Sequence, residues 1–416
     1  MIKLSTLVVA ISLALSSQAN ATTITASDKA IKLAKDTILI DTHIDVPYRL
    51  HDKWADVTKA TDDGDFDYPR AIQGGLNAPF MSIYIPAHLE FEGKGKSYQL
   101  ANLLIDSMEA IAQRAPDKFA IASSTVDIEE QFKQGKLSIA MGMENGSPIE
   151  GDMKNLQHFF DRGVRYITLA HSQSNHISDS SYDIRRKWKG LSPFGKKLVT
   201  EMNNIGMLID VSHISDDAFY QVIELSKTPV IASHSSLRKY TPGFERNMND
   251  DMLLALKKNG GVIQINFGSS FVTAKAGSWG KQLKSTKESA KKEGTKLSND
   301  FDAAYRAKNP YPFASLEQVL DHIDHVVALI GIDYVGIGSD YDGVGDSLPI
   351  GLKDVSSYPN LVQGLMDRGY SDTDIKKILS GNTLRVWKQA EAYAKKHKAL
   401  GIRYQVSGIR YQVRKA

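Results

Sequence analysis

The chain of 416 residues contains no cysteine. This absence excludes disulfide bonds, a thiol nucleophile and a cysteine-ligated zinc ion. The glycine-rich loop that binds dinucleotides is missing after the first predicted strand, which disfavours a Rossmann fold. The formal net charge is only +3, basic residues are scattered, and no platform of interleaved aromatic and basic residues occurs. We therefore expect no nucleic-acid partner.

Apolar segments long enough to anchor the chain in a membrane are missing as well. The C-terminus carries no apolar tail, so no lipid-anchor signal is expected there. At the N-terminus, Lys3, an apolar stretch at 7–15 and the sequence Ala-Asn-Ala at 19–21 follow one another. This order predicts a secretory signal peptide over residues 1–21, whose apolar stretch is too short to span a bilayer. We expect export across the inner membrane to the periplasm or the extracellular space, without a membrane anchor.

Short, apolar, β-branched runs alternate with segments of helical periodicity along the rest of the chain. Such continuous apolar strands predict a parallel sheet covered by helices on both sides. Eight of them favour a closed (β/α)8, TIM-like barrel of the α/β class over an open sheet. The eight predicted strands are 37–40, 79–85, 137–143, 164–169, 207–211, 229–232, 261–266 and 334–338.

Residues 22–400 are expected to form this barrel as a single domain. Two segments interrupt the alternation, a polar loop at 52–70 after the first strand and a Lys-rich insertion at 268–312 after the seventh strand. Long insertions at the strand ends of a barrel commonly frame the active site, and a solvent-exposed excursion is equally compatible with this composition. Residues 401–416 are a tail of unclear role in which the sequence GIRYQV occurs twice.

Polar residues that can ligate metals stand just beyond six of the predicted strands. Because the carboxyl ends of barrel strands open on one face, these residues should converge although almost 300 positions separate the first from the last. They are His43 and Asp45 after the first strand, Glu144 after the third, His171 after the fourth, His213 after the fifth, His234 after the sixth and Asp340 after the eighth.

This recurrence indicates a metal centre. A single histidine beyond a strand is commonly a hydrogen-bonded rim residue, but four of the eleven histidines occupy this one recurrent location. Histidine, aspartate and glutamate suit Zn²⁺, Mn²⁺ or Fe²⁺. Five or six ligands exceed what one tetrahedral zinc ion takes, so two ions bridged by a carboxylate fit the number better. Paired ions of this kind stabilise the attacking and the leaving oxygen in hydrolysis.

The other histidines receive less weight. His322 and His325 are spaced i, i+3 on a predicted helix and could bind a metal as a pair. Their helix precedes the eighth strand, so packing or solvent exposure is the preferred interpretation. His176 is close enough in sequence to His171 to contact a substrate, although no pattern supports it.

The order and spacing of these motifs resemble the membrane dipeptidase (renal dipeptidase) family, binuclear zinc peptidases of the amidohydrolase-like barrels. The resemblance runs from about Ile38 to Trp387. Its pieces are DTHIDVP at 41–47, GMENG at 142–146, RYITLAHSQSN at 165–175, IDVSHIS at 209–215, PVIASHSSLR at 229–238, RNMNDD at 246–251, DHIDHV at 321–326 and GIGSDYDGV at 336–344.

The resemblance implies two zinc ions and a role for each residue of the site. The implied first ion binds His43 and Asp45, the second binds His213 and His234, and Glu144 bridges them. His171 would contact the substrate near its scissile carbonyl group, Arg246 would bind the free carboxylate of the substrate, and Asp340 would accept and return the proton of the attacking water.

The implied activity is metal-dependent hydrolysis of dipeptides, with tolerance of a D-residue at the C-terminal position. Two other functions stay open at this point. One is another binuclear amidohydrolase, such as an N-acyl amino acid deacylase, a lactonase or a β-lactam hydrolase, and the other is a periplasmic binding protein without catalysis. The family also makes a homodimer a reasonable expectation, whereas the missing cysteines put disulfide-linked assembly in doubt.

Overall fold

The computed structural model describes the backbone of residues 24–413 and the side chains of residues 24–399. The predicted signal peptide therefore lies outside the described residues, as does the end of the predicted tail. Nine strands are described. They are β1 (Ile40–Ile44), β2 (Ala78–Tyr84), β3 (Phe119–Ile121), β4 (Leu137–Glu144), β5 (Val164–Thr168), β6 (Leu208–Asp210), β7 (Ile231–Ser235), β8 (Val262–Ile265) and β9 (Val335–Ile337).

Helices follow most strands and cover the outside of the sheet. In chain order the α-helices are Asp28–Lys35, Val46–Asp52, Tyr68–Gly74, Lys96–Arg114, Thr125–Lys133, Met153–Asp161, Pro193–Ile205, Asp216–Leu225, Asp250–Asn259, Ser269–Val272, Ala274–Lys292, Phe301–Lys308, Leu316–Ile330, Tyr358–Asp367, Asp372–Lys376 and Asn382–Val413. Several begin at a serine or asparagine whose side chain accepts a hydrogen bond from the first turn, as Ser192, Ser215 and Asn249 do. Among the described residues, no helix is long and apolar enough to cross a membrane.

Eight parallel strands form the predicted barrel, in the order β1-β2-β4-β5-β6-β7-β8-β9. The barrel closes through a parallel bridge between Ile44 and Tyr341, where the backbone N–H of Asp45 donates to the carbonyl oxygen of Tyr341 at 2.9 Å. The (β/α)8 prediction is thereby confirmed. The short strand β3, which the sequence did not predict, pairs with β4 outside the barrel path.

The interior of the barrel is filled at one end by apolar side chains. Ile40, Phe80, Tyr166 and Ile231 form a buried cluster with Trp387 of the last helix. The rings of Phe80 and Trp387 lie 5.3 Å apart. This cluster fills the half of the barrel interior that lies away from the carboxyl ends of the strands, and the buried polar side chains of β1 and β7 lie towards those ends.

Two strands extend three or more residues further towards these carboxyl ends than the sequence predicted. The first strand was predicted at 37–40 and is found at Ile40–Ile44, while the sixth was predicted at 229–232 and is found at Ile231–Ser235. The apolar pattern ends early because polar residues continue both strands in a fully buried state. Hydrogen bonds satisfy them: the Thr42 hydroxyl, for example, donates to the carbonyl oxygen of Ser233 at 2.5 Å.

The insertion after the seventh barrel strand is mostly helical. It contains Ser269–Val272, Ala274–Lys292 and Phe301–Lys308. The first of these helices is tied to the loop after β9, since the backbone N–H of Ser269 donates to the carbonyl oxygen of Ser347 at 3.0 Å. This contact holds the start of the insertion beside the open end of the barrel.

Candidate metal centre

Glu144, the last residue of β4, lies at the middle of the predicted site. Its Oε1 atom is 3.0 Å from Nε2 of His213, 3.2 Å from Nε2 of His234 and 3.5 Å from Nε2 of His171. Its Oε2 atom is 3.4 Å from Nε2 of His43. The two oxygens of one carboxylate thus face two different sets of imidazoles, as a bridging ligand requires.

The register of the barrel produces this convergence. Tyr84 pairs with Glu144, Glu144 pairs with Thr168, and Thr168 pairs with Asp210, so four neighbouring strands end at the same level. Three overlapping groups of potential ligands result, with ligand atoms within 4.8 Å of one another inside each group. They are His43, Glu144 and His234; Glu144, His171 and His213; and His43, Asp45 and Asp340.

The hydrogen bonds of His43 leave its Nε2 atom free to ligate. Its Nδ1 atom lies 2.8 Å from the hydroxyl of Tyr166, and that hydroxyl donates its only proton to the carbonyl oxygen of Thr42 at 3.0 Å. Tyr166 can therefore only accept from His43, which places the imidazole proton on Nδ1. The Nε2 atom is buried, has no hydrogen-bond partner among the described residues, and points its lone pair at the carboxylates.

His234 has the same arrangement with different partners. The Ser233 hydroxyl donates to Oδ2 of Asp210 at 2.6 Å and lies 2.7 Å from Nδ1 of His234. The proton of His234 is thereby fixed on Nδ1, and its Nε2 atom lies 2.8 Å from Nε2 of His213. Facing imidazole nitrogens beside buried carboxylates fit divalent cations, because such an ion satisfies lone pairs that no protein donor reaches.

Electrostatics keep the central carboxylate ionised. Burial alone would raise the pKa of Glu144, but its close contacts with the imidazoles of His43, His171, His213 and His234 hold it well below its usual range. Burial raises the pKa of Asp340 to about 7, and the charge of Asp45 contributes in the same direction. The site therefore contains one carboxylate suited to ligation and one suited to proton exchange near neutral pH.

The backbone is strained where two of these side chains enter the site. His213 has φ of 69° and Asp340 has φ of 67°, in the left-handed region that non-glycine residues rarely adopt. Two glycines make room for side chains of the site, Gly343 beside Asp45 and Asp340, and Gly142 beside Tyr166, the hydrogen-bond partner of His43. A Cβ atom on Gly343 would lie 2.2 Å from Oδ2 of Asp45, and one on Gly142 would lie 1.9 Å from Cζ of Tyr166.

Arg246 is buried next to the cluster, with 3% of its surface exposed. Its Nη1 atom donates to the Ser235 hydroxyl and its Nη2 atom to the carbonyl oxygen of His234, both at 2.7 Å. Its Nε atom has no partner among the described residues, and no carboxylate within them forms an ion pair with it. A buried guanidinium without a counter-ion is suited to an anionic ligand.

His171 differs from the other histidines of the site in its exposure. Its side chain is 18% exposed, against 6% for His213. Burial lowers its pKa, which favours the neutral imidazole. It borders a cleft of about 590 Å³ that is also lined by Tyr84, Tyr182 and Asp340. The structure therefore places His171 where a molecule in the cleft can touch it, although its distance to Glu144 also allows it to ligate.

Several residues that position the ligands were missed from sequence. Asp41 accepts from the backbone N–H groups of His43 and Ser339, each at 3.0 Å, and Asp210 accepts from the backbone N–H of Ser233 at 2.8 Å. The Asn266 amide donates to Oδ2 of Asp340 at 2.7 Å. The sequence did contain a signal for the two aspartates. Each directly follows an apolar run, and Asp41 lies two positions before His43 while Asp210 lies three positions before His213.

The remaining histidines do not join the site. The Nδ1 atom of His176 lies 3.0 Å from Glu90 in a separate surface depression. His325 pairs with Asp250, and His322 is buried between backbone groups. The preference for packing over metal binding at His322 is in line with these contacts.

A parallel barrel that gathers imidazoles and carboxylates at the carboxyl ends of its strands defines the class of metal-dependent barrel hydrolases. Residues 27–400 match the profile of the membrane dipeptidase family, Peptidase family M19. The chain belongs to this family, as its motifs predicted.

Individual relatives cover most of the chain. It is 33% identical to dipeptidase verJ of Clonostachys rogersoniana over 385 residues, and this matched region covers 90% of this chain and 89% of that protein. It is 31% identical over 368 residues to an uncharacterized dipeptidase of Schizosaccharomyces pombe, spanning 85% and 81%.

Solved structures share the fold. The probable dipeptidase PvdM from Pseudomonas aeruginosa has a TM-score of 0.77 at 27% identity, covering 88% of this chain and 98% of that one. A metallopeptidase from Rhodobacter sphaeroides, liganded with a phosphinate mimic of the dipeptide L-Ala-D-Ala, has a TM-score of 0.70 at 23% identity, covering 85% and 100%.

Proposed function

We propose that this protein hydrolyses dipeptides with the help of two divalent metal ions, zinc being the expected pair. The observation that carries this proposal is the position of Glu144. Its two oxygens face separate sets of imidazoles, and the unpaired guanidinium of Arg246 lies close by. Membership in the membrane dipeptidase family supports the same activity.

The residues would divide into two ligand sets joined by Glu144. His43 and Asp45, whose Nε2 and Oδ2 atoms lie 3.4 Å apart, would hold one ion, and His213 and His234, whose Nε2 atoms lie 2.8 Å apart, would hold the other. When bound, such ions lower the pKa of a shared water and polarise a carbonyl group.

The remaining steps belong to the side chains around the cleft. Asp340 would take a proton from the attacking water and return it to the leaving amine. Asn266 donates only to the Oδ2 atom of Asp340, so the other carboxylate oxygen can carry the proton. His171 would donate a hydrogen bond to the oxygen that becomes negative in the tetrahedral intermediate. Arg246 would bind the terminal carboxylate of the substrate, which restricts hydrolysis to short peptides in which that group is one residue from the scissile bond.

A D-residue at the C-terminal position is part of the proposal. Support comes from the Rhodobacter sphaeroides structure, which was solved with a mimic of L-Ala-D-Ala. That chain shares the fold of the present one, and a comparison of Gly-L-Ala with Gly-D-Ala tests the stereochemical preference.

The test is a substrate panel run with metal analysis. We expect hydrolysis of Gly-L-Ala and Gly-D-Ala, loss of activity after dialysis against a chelator, and recovery with two equivalents of zinc. Gly-Ala amide, which lacks the carboxylate, should react at least about tenfold more slowly. Full activity of the metal-free protein would exclude the metal mechanism. Faster hydrolysis of N-acyl amino acids, lactones or β-lactams than of any dipeptide would point to another amidohydrolase.

A further inference from the structure

A second cavity of about 350 Å³ lies next to the catalytic cleft. The two cavities share three lining residues, Tyr182, Ser270 and Phe271. The far wall of the second cavity is the long helix of the insertion, Ala274–Lys292. This helix contributes no residue to the metal centre, so the proposed chemistry leaves its function unassigned.

The two walls of this cavity differ in side-chain size. One wall is aromatic: the rings of Tyr182 and Phe244 lie 6.0 Å apart, and those of Phe244 and Phe271 lie 5.8 Å apart. The facing helix presents small residues spaced along one face. They are Ala274, Gly277, Ser278 and Gly280, with Lys281 and Lys284 beyond them. A slot between rings and small residues suits a bulky apolar group.

The position of the slot indicates which part of a substrate would enter it. The ring of Tyr182 is 5.9 Å from the ring of His213 in the metal centre. The guanidinium carbon of Arg246 lies 5.4 Å from the centre of the Phe271 ring. If Arg246 binds the terminal carboxylate of the dipeptide, the side chain of the C-terminal residue of the dipeptide begins beside Phe271, at the entrance of the slot.

We propose that this cavity receives the side chain of the C-terminal residue of the dipeptide and selects for a large apolar or aromatic side chain. The inference rests on the proposed dipeptidase function. It assigns to the insertion helix the role of a specificity wall, with Gly277 and Gly280 keeping the slot open.

The test fills the slot from the helix. A Cβ atom on Gly277 would meet only the Ser270 carbonyl oxygen, at 3.6 Å, and one on Gly280 would meet nothing within 4 Å, so both positions accept a side chain. We compare kcat/KM for Gly-Ala, Gly-Leu and Gly-Phe, each with the C-terminal residue in the configuration that the enzyme prefers. The wild-type enzyme should favour Gly-Phe over Gly-Ala, and Gly277→Leu or Gly280→Leu should lower that ratio about tenfold or more.

Two variants serve as controls. Gly277→Ala raises helix propensity and adds little volume, and should shift the ratio by less than about threefold. Ser285→Leu adds the same side chain as the test variants to the same helix outside the cavity lining, and should leave the ratio unchanged.

The outcomes separate this proposal from the proposed function. A wild-type enzyme that hydrolyses none of the three dipeptides contradicts the function itself. An enzyme that hydrolyses them, with the same Gly-Phe to Gly-Ala ratio in Gly277→Leu and Gly280→Leu as in the wild type, contradicts the slot alone. A preference for Gly-Glu that disappears in Lys281→Ala would overturn the assignment of an apolar side chain.

Discussion

His43 and His322 are both completely buried, yet their surroundings differ in one decisive way. The Nδ1 atom of His322 accepts from the backbone N–H of Leu237, and its Nε2 atom lies 3.0 Å from the carbonyl oxygen of Val272. Both nitrogens are satisfied. In His43 only Nδ1 is bonded, and Nε2 has no partner among the described residues.

This difference distinguishes a structural histidine, His322, from a candidate metal ligand, His43. Residue type and burial are the same, so neither identifies a ligand. A buried polar atom without a partner costs on the order of 1–3 kcal/mol, and four such atoms among the described residues belong to the site: Nε2 of His43, Nδ1 of His171, Nδ1 of His213 and Nε of Arg246. Left-handed backbone at His213 and Asp340 adds to that cost. Metal binding would offset it, whereas the region around His322 needs no ligand.

The first prediction removes the carboxylate that joins the two halves of the centre. Glu144→Gln keeps the volume of the side chain but removes its charge and one of its two oxygens, so one of the proposed ions would lose a ligand atom and the other would keep only a neutral carbonyl ligand. We expect metal content to fall below one ion per chain and dipeptidase activity to fall to background, measured by elemental mass spectrometry and by turnover. His322→Gln is the control and should retain the wild-type metal content. A Glu144→Gln enzyme that still holds two ions would contradict the distinction between the surroundings of His43 and those of His322.

The second prediction separates proton transfer from ligation within the centre. Asp340→Asn keeps an oxygen towards the site but cannot exchange a proton, so kcat should fall by about 10²–10⁴-fold. Metal content should stay at the wild-type level. If metal is lost in proportion to activity, Asp340 acts as a ligand; a kcat within about threefold of wild type would remove it from catalysis.

Much of the fold and of the site could be predicted from sequence, because barrels repeat one pattern. Apolar runs of four to seven residues specify buried parallel strands, and the residue after each run falls on one face. His43, Glu144 and His213 were therefore predictable as neighbours. Strand β3 was not, since its three residues pair with a single neighbour, and two of them are only partly buried.

The hydrogen-bond partners that orient the candidate ligands could not be predicted from the sequence. Nothing in the chain links Tyr166 to His43, which lie 123 positions apart, or Asn266 to Asp340, which lie 74 apart. Such pairs depend on barrel register, and a shift of one residue would turn each side chain to the opposite face. The strand ends at His43 and His234 were missed for a related reason, because polar residues that hydrogen-bond inside the barrel imitate the end of a strand.

The third prediction weakens the orientation of one ligand without removing it. Ser233→Ala deletes the hydroxyl that fixes the proton of His234 on Nδ1. We expect metal affinity to weaken about 10–100-fold, as for other outer-shell partners, and activity to return in excess zinc. Competition with a chromophoric chelator measures this affinity. Ser138→Ala is the matched control, because it removes a buried hydroxyl that has no hydrogen-bond partner among the described residues. Equal affinities in the two variants would show that His234 needs no support from Ser233.

The smallest effect on activity, and a distinct one on stability, is expected at His322. Burial lowers the pKa of His322 to about 4, and the neighbouring His325 contributes in the same direction. A second proton, on Nδ1, would also face the N–H of Leu237. Above pH 6.5 neither the folded nor the unfolded chain protonates this group, so stability is at its full value. Between pH 6.5 and 4 only the unfolded chain gains the proton, and the free energy of unfolding falls by about 1.4 kcal/mol per pH unit.

His322→Gln keeps one acceptor and one donor and cannot titrate, so its Tm should drop less than that of the wild-type protein between pH 7 and pH 5, at equal dipeptidase activity at pH 7. Parallel Tm curves for the two proteins would mean that His322 is protonated in the folded state, and its contrast with the unpartnered histidines of the metal centre would then disappear.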